Sequence, residues 1–188
     1  SPYTSPSGNM HGMPLATAIA EDNLELKTNE IKKQTNFFWQ KLKGSSQRIK
    51  PEDIIFIALR DTEAPEDYLI EKYGIRVFRV DELRNIGTQK VVAEALKQLD
   101  VCDHIYVSFD VDSMDSRISS GTGTPVPNGI TEKEAGNLIY YIMRSKKIVC
   151  FEMVEINPTL DRENLMAENA FEILQKAPGI NITGEDVI

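Results

Sequence analysis

Three carboxylates fall within six residues in the stretch SFDVDSMD, Ser108 to Asp115. An apolar, strand-like run leads into it, with Ile105, Tyr106 and Val107 before Ser108 and Phe109. In an extended strand alternate side chains point the same way, so Asp110 and Asp112 are expected on one face. Like charges held close cost energy unless something positive lies between them. Paired hard oxygen donors suit a divalent ion such as magnesium or manganese. The same pair could instead cap backbone amides at a strand end. Two carboxylates are too few for a complete metal site, so further ligands would have to come from elsewhere.

Other residues carry chemistry in their own contexts. Glu155 follows Val154 and precedes Ile156, where a carboxylate is costly unless a cation pairs with it. That cation is either a structural Lys or Arg or a cationic substrate. His11, in SGNMHGMP, is a loop histidine beside Gly12. It suits proton shuttling, although a lone loop histidine is more often a surface or structural residue. His104 reads as structural only. Thr122 and Thr124, before Pro125, offer hydroxyls on a rigid loop or simple turn chemistry.

These residues need elements to position them. Pro14 suits the first turn of a helix that Leu15 to Glu21 continue. Residues 22–34 read as irregular and Phe37 to Leu42 as a short helix. Asp53–Leu59 reads as a buried parallel strand. Pro65 to Tyr73 reads as a helix stopped by Gly74, and Ile75–Val80 as a short strand. Asp81 to Asp100 reads as one helix, with Val92, Ala95, Leu96 and Leu99 at helical spacing. A Gly- and Pro-rich loop spans Ser113 to Gly129. Thr131 and Glu134 form a capping-box pattern ahead of Ala135, Leu138, Ile139 and Ile142. Ile148–Ile156 reads as a strand and Arg162 to Gln175 as the last helix.

Alternating strands and helices predict an α/β fold with a mainly parallel sheet. Ligands then bind at the carboxyl ends of strands. Three polar clusters fall at such ends: Arg60–Glu66, Asp110–Asp115 and Glu155–Asn157. They are expected to converge on one site.

Composition bounds the rest. The chain has 188 residues, 41% of them hydrophobic, which suits a single domain, residues 1–188, or a large piece of one. A net charge of −8 argues against a nucleic-acid partner. No apolar run approaches a membrane span, so no membrane partner is expected. Neither a signal nor a transit peptide opens the sequence. Cys102 and Cys150 sit in apolar, strand-like contexts and are expected as buried thiols of a reducing cytosol.

Four ordered motifs together carry a resemblance: SGNMHGMP (7–14), SFDVDSMD (108–115), GTGTPVP (121–127) and VEINPTLD (154–161), with RDTEAPE (60–66) a looser match. The chain resembles the ureohydrolase family, and arginases more closely than agmatinases, from Ser7 to about Leu174. The resemblance implies a three-layer α/β/α domain with a central, mainly parallel sheet. It implies two manganese ions that activate a hydroxide for attack on the guanidinium carbon of L-arginine, giving L-ornithine and urea. By position it assigns Asp110 and Asp112 to the metals and His11 to proton shuttling toward the leaving amine. Glu155 pairs with the guanidinium. Ser7 and Asn9 hold the α-carboxylate. Glu63 stands where an Asp that contacts the α-amino group is usual, Glu66 matches a nearby acidic contact, and Thr124 lines the pocket near the guanidinium. The family's remaining metal ligands would lie upstream of Ser7, outside this sequence, so the segment alone is expected to be inactive. A cytoplasmic homo-oligomer, trimer or hexamer, is implied as well.

Departures from the family pattern are Glu63, Ser116, the RISS stretch at 117–120, and Glu152 for an Asp. They bear on substrate choice. The alternatives are agmatinase or another guanidino-compound hydrolase, and a non-catalytic, metal-poor homologue. Ser7 and Asn9 favour a substrate with an α-carboxylate, which agmatine lacks.

Overall fold

The computed structural model describes residues 1–118 and 120–178. In chain order the elements are α1 (Pro14–Ala18), α2 (Lys33–Lys43), β1 (Ile55–Ile57), α3 (Ala64–Tyr73), β2 (Arg76–Phe78), α4 (Val80–Ile86), α5 (Thr88–Gln98), β3 (Ile105–Asp110), α6 (Glu132–Ile142), β4 (Ile148–Val154) and α7 (Leu165–Gln175). Two compact units divide the chain. The first holds Ser1–Ile55 and Thr62–Arg76, the second Phe56–Asp61 and Val77 onward.

The first unit is built around α1, α2 and α3. Pro14 occupies the first turn of α1, where its missing N–H costs nothing. Trp39 is the buried side chain of α2, and its Nε1 donates to Asp22 Oδ1 at 2.7 Å. Lys43 Nζ reaches the same oxygen at 2.7 Å. A buried indole N–H needs such a partner, and the pair fixes which face of α2 turns inward. α2 begins at Lys33, earlier than the expected start at Phe37. α3 ends as expected, on Gly74 in the left-handed conformation.

Sequence patterning overestimates β1. Only three residues are extended and they are half-buried, because the backbone turns left-handed at Ala58 (φ 64°). The single helix expected over Asp81–Asp100 is two, α4 and α5. Gly87 separates them at φ 86° and ψ 148°, outside helical space.

The second unit holds the main core. Val91, Val92 and Ala95 of α5, Leu138 and Ile139 of α6, and Met166, Ala170 and Ile173 of α7 are buried, each set at helical spacing. The Thr131–Glu134 capping box opens α6 as its sequence predicts: Glu134 N donates to Thr131 Oγ1 at 3.2 Å and Thr131 N to Glu134 Oε2 at 2.8 Å. β3 and β4 pair in parallel, with Phe109 opposite Met153 and Asp110 opposite Val154. Ile105 and Phe109 point into the core, while Tyr106, Ser108 and Asp110 alternate onto an open face.

Cys150 is exposed and Cys102 half-exposed, so the expectation of two buried thiols does not hold. Cys150 lies on β4, and Cys102 caps the 3-10 turn Leu99–Val101 ahead of β3. Among the described residues no helix is long and apolar enough to cross a membrane.

Candidate active site

β3 ends at Asp110, and Val111–Ser113 turns at once into a short 3-10 helix. The extended-strand argument for Asp110 and Asp112 therefore stops one residue early. What links them is a turn: Asp110 Oδ1 accepts the amide of Asp112 at 2.8 Å. Asp112 in turn accepts the hydroxyls of Thr122 and Thr124, one on each oxygen. Thr122 is only 2% exposed, so its hydroxyl is committed to that carboxylate.

Parallel pairing brings a third carboxylate close. Asp110 lies opposite Val154, so Glu155 is the next residue beyond the strand pair. Surrounding protein desolvates the Asp110 carboxyl and raises its pKa to about 6, with the charges of Asp112 and Glu155 adding to the shift. Its side chain still opens to solvent, on the same face as Ser108.

Glu155 differs from its expected setting. It is exposed, and its carboxylate makes no hydrogen bond or ion pair with the described residues. No desolvation cost therefore demands a structural cation. Its backbone is left-handed, at φ 67°. For an ordinary side chain that conformation costs about 1–2 kcal/mol.

The loop carrying Asp112 is tied down by Arg60, which periodicity does not reveal. Its guanidinium donates to the carbonyls of Asp112, Ser113 (3.0 Å), Met114 (2.8 Å), Val126 (2.9 Å) and Pro127 (3.3 Å). A planar fork of five N–H donors makes this possible. Asp115, 4% exposed, fixes the same loop. It accepts Arg117 Nε and the amide of Asn128, both at 2.8 Å. The Arg117 guanidinium holds the Asp115 carboxyl well below the usual carboxylate range. Asp161, at the end of the VEINPTLD motif, accepts the amides of Met166 (2.9 Å) and Ala167 (3.1 Å) and so satisfies the first turn of α7. Glu152 accepts hydroxyls from Tyr106 and Ser108.

The other assigned residues lie in the first unit. Ser7 Oγ accepts the amide of Asn9 at 3.2 Å, and Gly8 N donates to Ser5 Oγ at 3.0 Å. This tight loop leads into a 3-10 turn, Met10–Gly12, that leaves His11 exposed. Glu63 is the N-cap of α3, and Glu66 Oε2 accepts its amide at 2.9 Å. A Glu pair three residues apart ahead of a helix could have been read from sequence as this cap. Of the RISS stretch, Ser119 lies outside the described residues, as does the tail from residue 179 onward.

Among the described residues no group of three or more His, Cys, Asp or Glu side chains is arranged to hold a metal ion. Asp110 and Asp112 nonetheless suit a hard divalent cation. They supply oxygen donors only, and desolvation leaves Asp110 short of the positive charge that a cation would bring.

Carboxylates gathered at the carboxyl ends of a parallel strand pair stand where α/β folds place their ligand sites. The comparisons narrow that class. The arginase family model matches residues 1–178. Arginase of Bacillus subtilis is 33% identical over 94% of this chain and 55% of its own length. A crystal structure of arginase from the same organism superposes with a TM-score of 0.79 at 32% identity, covering 96% of this chain and 58% of that one. Entamoeba histolytica arginase in complex with L-ornithine gives 0.80 at 29%, covering 95% and 55%. The chain belongs to the arginase family and has its α/β fold. It spans about half the length of the curated relatives it matches.

Proposed function

We propose that the parent protein hydrolyses L-arginine to L-ornithine and urea with manganese. The observation that carries this reading is Glu155, an unpartnered carboxylate held in a costly backbone conformation beside Asp110 and Asp112. A strained, exposed, unpaired acid has no visible stabilising role, and it matches the need of a guanidinium for a counter-charge. The kinship with arginases, one of them crystallised with L-ornithine, supports the same substrate class.

In this reading Asp110 and Asp112 hold manganese together with ligands from outside residues 1–188. The bound metals supply the positive charge that makes water a nucleophile at neutral pH. Thr122 and Thr124 orient the Asp112 carboxylate, and Thr124 also lines the pocket. Glu155 pairs with the guanidinium and orients its carbon toward the attacking water. As the new C–O bond forms, the bond from that carbon to the side-chain nitrogen breaks. His11 delivers the proton that this nitrogen needs to leave as an amine. Ser7 and Asn9 receive the α-carboxylate. Glu63 receives the α-amino group with Glu66 as a nearby acidic contact, roles compatible with their cap because each carboxylate retains free lone pairs.

The test is urea release by the full-length parent protein, with manganese added and then chelated, and with agmatine in parallel. Manganese-dependent urea from arginine alone is the expected result. Urea from agmatine at a comparable rate would overturn the substrate assignment. No urea from either, in a folded manganese-loaded protein, would overturn the reaction.

A further inference from the structure

We propose that α2 and its flanks dock the protein onto an anionic membrane surface. Between Glu30 and Glu52 lie Lys32, Lys33, Lys41, Lys43, Arg48 and Lys50 and no acidic residue, in a chain whose net charge is −8. The positive charge is thus concentrated in one segment. Lys43 is occupied by Asp22, and Arg48 by backbone carbonyls. Lys32, Lys33, Lys41 and Lys50 are exposed.

Large apolar side chains stand among those cations. Phe37 is 55%, Phe38 53% and Leu42 43% exposed. Phe38 and Leu42 are four residues apart and share a helix face, as do Phe37 and Lys41, whose ammonium lies 4.4 Å from the Phe37 ring. The inward face is already fixed by Trp39 and Lys43 on Asp22, so the helix cannot turn to bury the aromatics. Solvent exposure of three such side chains together costs stability without a folding benefit.

A helix is convex, so these side chains project outward instead of lining a groove for a peptide. Projecting Phe and Leu with lysines around them match an interface where rings enter the headgroup region and ammonium groups meet lipid phosphates. Leu42 cannot stack on bases, which favours lipid over single-stranded nucleic acid. That no helix among the described residues is long and apolar enough to cross a membrane does not bear on surface binding of this kind.

The experiment is co-sedimentation of the full-length parent protein with phosphatidylcholine vesicles, with and without phosphatidylserine, at low and high salt. Expected is about tenfold greater capture by the phosphatidylserine vesicles, lost at high salt. Phe37→Ser/Phe38→Ser and Lys32→Glu/Lys33→Glu should each abolish capture, with circular dichroism and melting temperature unchanged. Urea release should also be unchanged, since none of these residues is placed at the reaction site. Capture by neither vesicle overturns the proposal, as does equal capture by both. Binding of a single-stranded oligonucleotide without vesicle capture would assign the patch to nucleic acid. Self-association lost in the Phe variant, without vesicle capture, would assign it to a second copy of the chain. Either of these also overturns it.

Discussion

At the scale of single residues, Glu155 separates stability from function. Its left-handed backbone is unfavourable for any residue with a Cβ, whereas glycine adopts it freely. Glu155→Gly should therefore raise unfolding stability by up to about 1 kcal/mol, part of the gain being offset by the looser unfolded chain. The same change should nearly abolish arginine turnover. Glu155→Gln keeps the strain and should lose turnover without a change in stability or manganese content. Denaturant unfolding and urea assays on both variants decide it: a fully active Gln variant removes the guanidinium role, and a destabilised Gly variant removes the strain argument. His11 and Asp112 give a complementary pair. Asp112→Ala should lower bound manganese per chain, while His11→Asn should slow turnover with manganese retained. Metal analysis reads both, and manganese loss from the His11 variant would make that residue a ligand instead.

At the scale of elements, the loop from Ser113 to Ile130 sets the position of the site. Gly129 allows its closest approach. A Cβ there would lie 2.3 Å from the Met114 carbonyl carbon and 2.5 Å from the Asp115 amide nitrogen. Both are backbone atoms, pinned by the Asp115 N to Ile130 O and Ile130 N to Ser113 O hydrogen bonds at 3.0 Å. Gly129→Ala should cost about 2–3 kcal/mol, measured by denaturant unfolding; an unchanged midpoint would mean the loop yields. Arg60→Lys should cost a similar amount, because a single ammonium cannot serve five carbonyls. These examples also mark what was legible in the sequence. Helix ends were, since a cap such as Thr131–Glu134 or a stop such as Gly74 is written in neighbouring residues. The grouping of Asp110, Asp112 and Glu155 at the strand ends was legible too, because acids at the end of an apolar run are conspicuous. The turn at Val111 was not, because strand alternation gives no reason to end at Asp110. Nor was the Arg60 clamp, whose partners lie 52 to 67 positions away.

At the scale of the whole molecule, acidity governs how stability follows pH. Several carboxyls are held below their ordinary pKa: Asp115 by Arg117, Glu134 by Arg84, Asp100 by Lys147 and Glu152 by Tyr106 and Ser108. Each binds its proton more weakly in the folded state than in the unfolded one. Their contribution to stability is complete above about pH 4–4.5, the unfolded value, and is lost as pH falls through the folded values. Asp110 works in the opposite direction. Its folded pKa, about 6, lies above the unfolded value, so in metal-free protein the folded state binds more protons between about pH 4 and 6. Stability from this group therefore falls as pH rises across that window. The two effects together predict a stability maximum near pH 4.5 for the chelated protein, with a shallow decline to about pH 6–7 that then levels off and a steeper loss below pH 4. Asp110→Asn should flatten the decline across pH 4–6, leaving the variant about 1 kcal/mol more stable above that window once the open carboxyl's solvent screening is allowed for. Manganese should reverse the slope, since a cation beside Asp110 favours the ionised form. Denaturant unfolding across pH, with and without metal, tests both statements. A chelated protein whose stability rises steadily to pH 8, unaltered by Asp110→Asn, would show that Asp110 is an ordinary solvated carboxylate and would weaken its assignment to a metal.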